Sequence, residues 1–425
     1  MKKFNLEIDV EEEELENENE DINNNNIDIN INNNNKNNNN INNDNNINNN
    51  NINNNNNNNN TYEEIKNFYN GPFKNSLNEE YDISYNKWIT QDKNLKFLCS
   101  DFPIPNNEEV IKQIIKRRDY PCELKLLKWI TEDNEHKQNF TKISNSKTKL
   151  NRHNDILPYK YNNVTIDNNN NNNNNINIDN YINASYIDGP LKEDKKLFIA
   201  TQGPLSGTIF SFWKMIISHN INLIIMLSNV YEEGREKSEC YWPTNKDNNL
   251  ILYKNNDNEK KDINDKIVLK LVNEEILENN SIVKRTFKLN ELKEINQIQI
   301  LCWGDHDIPK DNFVFNKIIN LLINKINDNR IQNPEIPILI HCSAGVGRTG
   351  TFIAICQIIK CLEKIKILKK EPILNVFNVV RKLREQRYSM VTDTIQYKSI
   401  YTLCINWIKE NIYKNIHNIE YNLHK

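Results

Sequence analysis

Residues 336–350 read Ile-Pro-Ile-Leu-Ile-His-Cys-Ser-Ala-Gly-Val-Gly-Arg-Thr-Gly, and this stretch decides the fold. Its first five residues are apolar, which predicts a short buried strand. The strand delivers Cys342 into a loop of small residues that ends at Arg348. Apolar residues then recur at helical spacing, at Phe352, Ile353, Cys356, Ile359 and Leu362, so an amphipathic helix is expected to begin near the arginine. This order places a sulfur beside the unpaired N–H groups of a helix N-terminus.

The loop has the composition of an anion-binding cradle. The positions between the cysteine and the arginine are Ser343, Ala344, Gly345, Val346 and Gly347. Such small residues let successive backbone N–H groups turn inward as a nest for an oxyanion. The helix dipole points its positive end at the same place, which favours the thiolate, the nucleophilic form of cysteine. Arg348 adds a planar fork that can bind two phosphate oxygens at once. The loop therefore predicts transfer of a phosphoryl group onto sulfur.

A lone cysteine after a core strand is more often a small buried hydrophobic residue than a nucleophile. That interpretation must here also account for His341, two glycines, Arg348 and the hydroxyl of Thr349. The loop lacks the Gly-Lys-Ser/Thr ending of a nucleotide-binding loop, and it is not a dinucleotide fingerprint. A phosphoryl-transfer cysteine is the better interpretation of the whole loop.

Other segments of the chain extend the pattern. They are 151–159 (NRHNDILPY), 181–187 (YINASYI), 199–205 (IATQGPL), 232–237 (EEGREK), 241–243 (YWP), 303–309 (WGDHDIP), 384–387 (REQR) and 396–397 (QY). Together with the cysteine loop, they resemble the classical, non-receptor-type protein tyrosine phosphatases, over roughly residues 116–412. The resemblance implies the cysteine-based phosphatase fold, an α/β domain whose central mixed twisted sheet is flanked by helices.

The resemblance also implies catalytic roles. Cys342 would attack the phosphorus and form a cysteinyl-phosphate, while Arg348 and the loop amides stabilise the transferring group. Asp305 would protonate the leaving phenolate and then deprotonate the hydrolytic water. Thr349 would donate a hydrogen bond to the departing thiolate, and Gln396 matches the second of two catalytic glutamines of the family.

Supporting roles follow in the same way. Glu232 would hold Arg348, and Lys237 would help to receive the mobile acid loop that begins at Trp303. Asp155 would accept backbone N–H bonds from a peptide substrate. His341 is interpreted as an orienting hydrogen-bond group behind the loop.

The residues alone do not identify the acid. Asp305 and Asp307 lie in one turn, and a solvated loop carboxylate is the commoner fate of such residues. The resemblance singles out Asp305, because it directly follows Trp303 and Gly304.

Several positions depart from the family pattern. His153 stands where a tyrosine usually forms the wall of the phosphotyrosine slot, and Thr392 replaces the first glutamine, which positions the attacking water. Gly304 replaces a proline, which loosens the acid loop, and Ser389 replaces a glycine near the mouth of the slot. We expect reduced turnover, not a lost reaction, because the nucleophile, the arginine and the acid are all present.

Apolar periodicity predicts alternating strands and helices, as in a layered α/β domain. The predicted strands are Leu197–Thr201, Leu223–Leu227, Ile267–Val272, Gln297–Cys302 and Ile336–Ile340. The predicted helices are Thr208–Ser218, Asn312–Ile326, Thr349–Ile365, Asn375–Arg387 and Thr394–Ile412.

Composition divides the 425 residues into four parts. Residues 1–60 form an acidic and asparagine-rich tail that cannot bury enough apolar surface to fold. Residues 61–115 are an extension that either packs on the catalytic domain or serves a partner. Residues 116–412 form the phosphatase domain, with surface insertions near 168–176 and 244–264. Residues 413–425 are a C-terminal tail.

Charge and cysteine content limit the partners. The net charge of −3 combines −8 in residues 1–21 with +5 elsewhere, too weak a basic surface to predict nucleic-acid binding. The eight cysteines show no metal-ligand spacing, so neither metal nor cofactor is expected. No apolar run reaches membrane-spanning length. We expect a monomer that acts on tyrosine-phosphorylated proteins in the cytoplasm or nucleus, where a catalytic thiol stays reduced.

Three functions remain in view. The first is an active protein tyrosine phosphatase. The second is a phosphotyrosine-binding trap with weak turnover, suggested by the departures at His153, Gly304 and Thr392. The third is a phosphatase of broader specificity, for phosphoserine or a phosphoinositide, suggested by the shortened wall at His153.

Overall fold

A computed structural model describes residues 59–69, 102–136, 142, 149–166, 180–254, 266–304 and 312–413. Its helices are α1 (59–69), α2 (Glu108–Lys116), α3 (Tyr120–His136), α4 (Ile209–Ser218), α5 (Asn312–Gln332), α6 (Gly347–Ile367), α7 (Val376–Gln386) and α8 (Thr394–Ile408). Its strands are β1 (Phe102–Pro103), β2 (Asn163–Thr165), β3 (Tyr181–Ile187), β4 (Phe198–Thr201), β5 (Leu223–Met226), β6 (Tyr231–Glu232), β7 (Arg235–Glu236), β8 (Leu250–Tyr253), β9 (Lys266–Leu277), β10 (Ile282–Leu289), β11 (Lys293–Ile300), β12 (Ile338–His341) and β13 (Ile373–Leu374).

Within this described part, nine strands form one mixed sheet in the order β2-β3-β4-β12-β5-β11-β10-β9-β8. The central strands β4, β12, β5 and β11 run parallel, and the outer strands pair antiparallel. Every residue of β4, β12 and β5 is buried, as expected of parallel strands covered on both faces. The predicted fold class is therefore confirmed.

The strand β12 lies in the middle of the sheet and carries the cysteine loop at its carboxyl end. Ile338 and Ile340 face the core that contains α6, whereas Leu339 faces the core that contains α4. This alternation is the period of a strand covered on both sides.

The helix α6 differs from the prediction of a single apolar stripe. Fifteen of its 21 residues are buried, including polar Gln357 and Thr351. The helix is buried almost all round because the sheet, α7 and α8 enclose it. The stripe alone underestimated this burial, since a helix enclosed on every side needs no polar face.

The five predicted strands and five predicted helices are all present, although their ends shift. Strands β3 and β10 were not predicted from the sequence. β10 carries Lys284, Arg285 and Lys288 among its apolar residues, and it becomes a strand because β9 and β11 pair with both of its edges. Within the segment predicted as a surface insertion near 244–264, Leu250–Tyr253 pairs with β9 as an edge strand.

Residues 61–69 of the N-terminal extension pack on the segment that contains α7. The side-chain amides of Asn375 and Asn378 donate to the carbonyl of Tyr69 at 3.2 and 2.8 Å, and Lys382 donates to the carbonyl of Phe68. Ile65 and Tyr69 are fully buried. The carboxyl end of α1 is thus capped by side chains of the segment that leads into and forms α7.

Several predicted segments lie outside the described residues. They are residues 1–58 of the tail, 70–101 of the extension, the insertion at 168–176, residues 255–264, and 414–425 at the C-terminus. Among the described residues, no helix has the length and apolar character needed to cross a membrane.

Candidate active site

Cys342 lies where the central strand meets the N-terminus of α6. Its side chain is buried, with 3% of the residue exposed. The carbonyl of His341, the last residue of β12, accepts a 2.8 Å bond from the N–H of Leu227. Gly347 begins α6 only five positions after the cysteine, so the sulfur and the helix N-terminus are held in one short loop.

The loop carbonyls are all bonded to groups outside the loop. Gly203 N donates to Ser343 O at 2.7 Å, and Val391 N donates to Val346 O at 3.0 Å. Arg387 binds Ala344 O through Nη2 at 3.1 Å and Gly345 O through Nε at 2.9 Å. Within the described residues, no N–H of positions 343–346 donates a hydrogen bond. Because the carbonyls are turned outward, these N–H groups are left for the concave nest that the sequence predicts for an oxyanion.

Arg387 is a site residue that the sequence analysis did not single out. Besides the two loop carbonyls, it donates to Asn183 Oδ1 at 2.8 Å and to Ser185 Oγ at 3.2 Å, both on β3. Burial lowers its pKa to about 10, so the guanidinium stays charged at neutral pH. The available signal was an arginine at the end of a helix that packs in the core. A buried charge is stable only when specific acceptors bind it.

Gly345 is required by the path of the loop. Its φ is +71°, and a Cβ built on it would lie 2.1 Å from the carbonyl oxygen of Thr201 on β4. Gly234, in the turn between β6 and β7, has nearly the same φ of +74° but open space around the position of a Cβ. Substitutions at the two glycines therefore distinguish the cost of a left-handed backbone conformation from the cost of a steric clash.

We expect Gly345→Ala to destabilise the protein more than Gly234→Ala. Both changes carry the cost of a left-handed residue, about 1–2 kcal/mol. Only Gly345→Ala adds a clash with backbone, which costs about 1–3 kcal/mol more because the loop must move. Urea unfolding of both variants measures the difference, and equal free energies of unfolding would contradict the close approach to Thr201.

Arg348 is fixed by a bidentate ion pair. Its Nη1 and Nη2 donate to the two carboxylate oxygens of Glu232 at 2.6 and 2.9 Å, and Nη1 also donates to Trp303 O at 2.8 Å. The side chains of Arg348 and Glu232 are only 1% and 7% exposed. Two parallel bonds of this kind fix the plane of the guanidinium, and Trp303 ties it to the start of the predicted acid loop.

Behind the loop, His341 ends a chain of buried hydrogen bonds. Gln297 Nε2 donates to Tyr241 Oη at 2.7 Å, Tyr241 Oη lies 2.8 Å from His341 Nε2, and His341 Nδ1 lies 3.1 Å from Cys342 O. A carbonyl can only accept, so the proton of the imidazole is on Nδ1 and the phenol donates to Nε2. Tyr241 is a second site residue that sequence reasoning missed, although a tyrosine before Trp242 was part of a quoted motif.

Burial lowers the pKa of His341 to about 4, from an ordinary value of 6.5. The neutral ring is thus favoured in the folded state, and the unfolded chain binds the proton first as the pH falls. We expect stability to be lost between about pH 6.5 and pH 4, by at most about 1.4 kcal/mol per pH unit from this group.

Urea unfolding at intervals across this range, on the native chain and on His341→Gln, isolates the contribution. The variant lacks the titrating ring, so its stability should fall less steeply with decreasing pH. Identical slopes for the two proteins would show that the ring is not held neutral by burial.

The predicted recognition segment is anchored next to the cysteine loop. Arg152 donates to the carbonyls of Gly203 and Pro204 at 3.2 and 2.8 Å, and the N–H of Gly203 is itself bonded to Ser343. His153 and Asp155 follow Arg152 and are exposed. Residues 153–155 therefore lie at the surface, directly after Arg152. Arg152 binds Gly203, which is itself hydrogen-bonded to Ser343 of the cysteine loop.

The structure brings most of the remaining predicted residues to the same place. Thr349 is fully buried in the first turn of α6, and its hydroxyl has no hydrogen-bond partner among the described residues. The amide of Gln396 lies against Gly347, 3.1 Å from the position of a Cβ there. Lys237 follows β7, and its N–H donates to Val230 O at 2.8 Å. Asp305, together with Asp307, lies outside the described residues.

The family of the chain follows from comparison with known proteins. The sequence model of the protein-tyrosine phosphatases matches residues 147–406, which contain the whole site. The chain belongs to the protein-tyrosine phosphatase family. This confirms the resemblance drawn from the motifs.

Members of the family with similar sequences include receptor and non-receptor types. The chain is 38% identical over 256 residues to the receptor-type tyrosine-protein phosphatase eta of Gallus gallus. This match covers 58% of the chain and 16% of that protein. It is 32% identical over 256 residues to the human tyrosine-protein phosphatase non-receptor type 12, covering 60% of the chain and 29% of that protein. The chain thus spans a small part of these relatives.

The fold is that of solved family members. The catalytic domain of the human protein tyrosine phosphatase non-receptor type 18 superimposes with a TM-score of 0.55 at 23% identity, covering 70% of this chain and 98% of that one. The same phosphatase in complex with HER2 phosphopeptides superimposes with a TM-score of 0.56 at 22% identity, covering 70% and 97%.

Proposed function

We propose that this chain hydrolyses phosphotyrosine in proteins through a cysteinyl-phosphate on Cys342. The observation that carries the proposal is the cradle whose carbonyls are all bonded outward, which leaves the N–H groups of residues 343–346 for three phosphoryl oxygens. Arg348, which is held by its bidentate ion pair with Glu232, completes the cradle. Together they supply the positioning and charge stabilisation that phosphoryl transfer requires.

The reaction proceeds in two steps. In the first, the Cys342 thiolate attacks the phosphorus, the P–O bond to tyrosine breaks, and Asp305 gives its proton to the phenolate oxygen. In the second, a water attacks the phosphorus and gives its proton to Asp305, and the S–P bond breaks with its electron pair returning to sulfur. The buried hydroxyl of Thr349, which lacks a partner among the described residues, donates to the departing thiolate.

Substrate choice rests on the recognition segment. Asp155 would hold the peptide backbone, and His153 would form the wall of a slot deep enough for a phosphorylated tyrosine. A related phosphatase, non-receptor type 18, has been solved with HER2 phosphopeptides, which supports tyrosine-phosphorylated proteins as partners. Because the nucleophilic sulfur works only when reduced, a reducing compartment, the cytosol or the nucleus, is the proposed location.

The function is tested with one peptide prepared with phosphotyrosine or phosphoserine, and with a phosphoinositide. We expect a preference for the phosphotyrosyl peptide of about a hundredfold or more in kcat/KM, since a shorter substrate cannot reach the sulfur. Mass spectrometry of acid-quenched reactions should find phosphate on the peptide that contains Cys342. No turnover and no phosphorylated Cys342 with any substrate would refute the proposal.

The alternatives give different results in the same assay. A burst of tyrosine release without steady turnover would favour the phosphotyrosine-binding trap. Comparable turnover of all three substrates would favour the broader specificity suggested by His153.

A further inference from the structure

Thr392 stands in a turn that is fixed against the cysteine loop. Val391, just before it, donates through its N–H to Val346 O at 3.0 Å and accepts from Arg384 Nη2 at 2.8 Å. Its φ is +61°, a left-handed conformation that a β-branched residue adopts only when its surroundings impose it. The position of Thr392 relative to the cradle is therefore set by the loop itself.

Thr392 binds one end of the Gln396 amide. Its N–H and its hydroxyl lie 3.2 and 3.1 Å from Gln396 Oε1. A backbone N–H can only donate, so the atom that it meets is the amide oxygen and the orientation of the amide is settled. The hydroxyl lies farther, at 3.5 Å, from the carboxylate of Asp393, so its proton is best placed toward Gln396.

The amide lies against Gly347, the first residue of α6. Gln396 Nε2 and Oε1 lie 3.1 and 3.2 Å from the position that a Cβ would take on Gly347, and Thr392 Oγ1 lies 2.9 Å from the same point. Gln396 is buried, and among the described residues Nε2 has no hydrogen-bond partner. An amide N–H₂ group that the protein leaves without an acceptor can donate to a water molecule.

We infer that Thr392 is a positioning residue for the second step of the reaction. It holds Gln396 Oε1, so that Nε2 donates to the water that attacks the S–P bond. The inference rests on the proposed function, since it requires a phosphorylated Cys342. The water oxygen bonds to phosphorus, its proton goes to Asp305, and the pair of the broken S–P bond returns to Cys342. Thr392 replaces the first of the two glutamines of the family, and it orients the second, Gln396.

The variant Thr392→Val tests this role. Valine keeps the shape and the backbone N–H but removes the hydroxyl, so one of two donors to Oε1 is lost and the amide can rotate. We expect phosphate on Cys342 to decay about five- to tenfold more slowly after rapid mixing, the effect of one neutral hydrogen bond. The rate of tyrosine release in the first turnover should stay unchanged.

Two further variants exclude a merely structural effect. Thr392→Ser retains the hydroxyl and should restore the decay rate of the native chain. In the background of Gln396→Ala, Thr392→Val should cause no additional slowing, because the two residues act as one unit. Urea unfolding of each variant checks that the fold is intact.

The outcomes are separable. If Thr392→Val slows the first and second steps equally, or slows neither, or if serine fails to restore the decay rate, the inference is wrong while the proposed function stands. If the native chain forms no phosphorylated Cys342, the proposed function itself fails.

Discussion

Replacing Cys342 by serine is expected to lower phosphopeptide hydrolysis by about 10⁴-fold or more while leaving phosphopeptide binding in place. Among the residues that the structure describes, a serine hydroxyl at this position has no neighbouring base to activate it, because the neighbouring His341 is buried, directs Nδ1 to the backbone and uses Nε2 for Tyr241. Loss of a covalent nucleophile removes the reaction path and leaves the binding groups, as with other nucleophilic enzymes.

Turnover and calorimetric binding of a phosphotyrosyl peptide measure the two effects. Cys356→Ser is the matched control, since Cys356 is also buried but lies inside α6, where burial keeps the pKa of its thiol well above the ordinary value. That variant should lose stability and retain turnover per folded molecule. Equal activity of Cys342→Ser and the native chain would refute the covalent mechanism.

Glu232→Gln is expected to reduce both stability and turnover. The substitution keeps the shape of the side chain but places an N–H₂ against the guanidinium of Arg348, which is 1% exposed and cannot turn to water. Breaking a buried ion pair by removing one partner costs about 3–5 kcal/mol. The misplaced arginine should also lower kcat by about a hundredfold, as for other preorganised donors.

The control for this variant lies in the same β-hairpin. Glu236 pairs with Arg152 at 3.0 Å, but its side chain is 34% exposed, and Arg152 also bonds to three carbonyls. Glu236→Gln should therefore cost about 1 kcal/mol or less. Urea unfolding and steady-state kinetics of both variants make the comparison. Similar losses of stability and turnover in the two variants would show that the Glu232 ion pair does not position Arg348.

Local sequence was sufficient to predict the cysteine loop. An apolar strand, small residues and an arginine at the start of a helix are contiguous, so their spacing alone places Cys342 and Arg348 in one turn. The strands β4, β5 and β12 were predictable for the same reason, because each is a mainly apolar run that is buried along its whole length.

The partners of the loop were not predictable from spacing. Arg387 lies 42 positions from Gly345, and Tyr241 lies 100 positions from His341, yet both make direct hydrogen bonds to the loop or its histidine. Their roles depend on which buried donor meets which buried acceptor, and that is decided only when the sheet and helices pack.

The sequence by itself determined that a thiol, a guanidinium and a row of backbone amides converge, because these groups are adjacent along the chain. Only the tertiary structure decided how they are held: the loop carbonyls are turned outward by Gly203, Arg387 and Val391, and the amide of Gln396 is oriented by Thr392. The physical reason is that a buried polar group must find its partner in space, and distance along the chain sets no limit on where that partner lies.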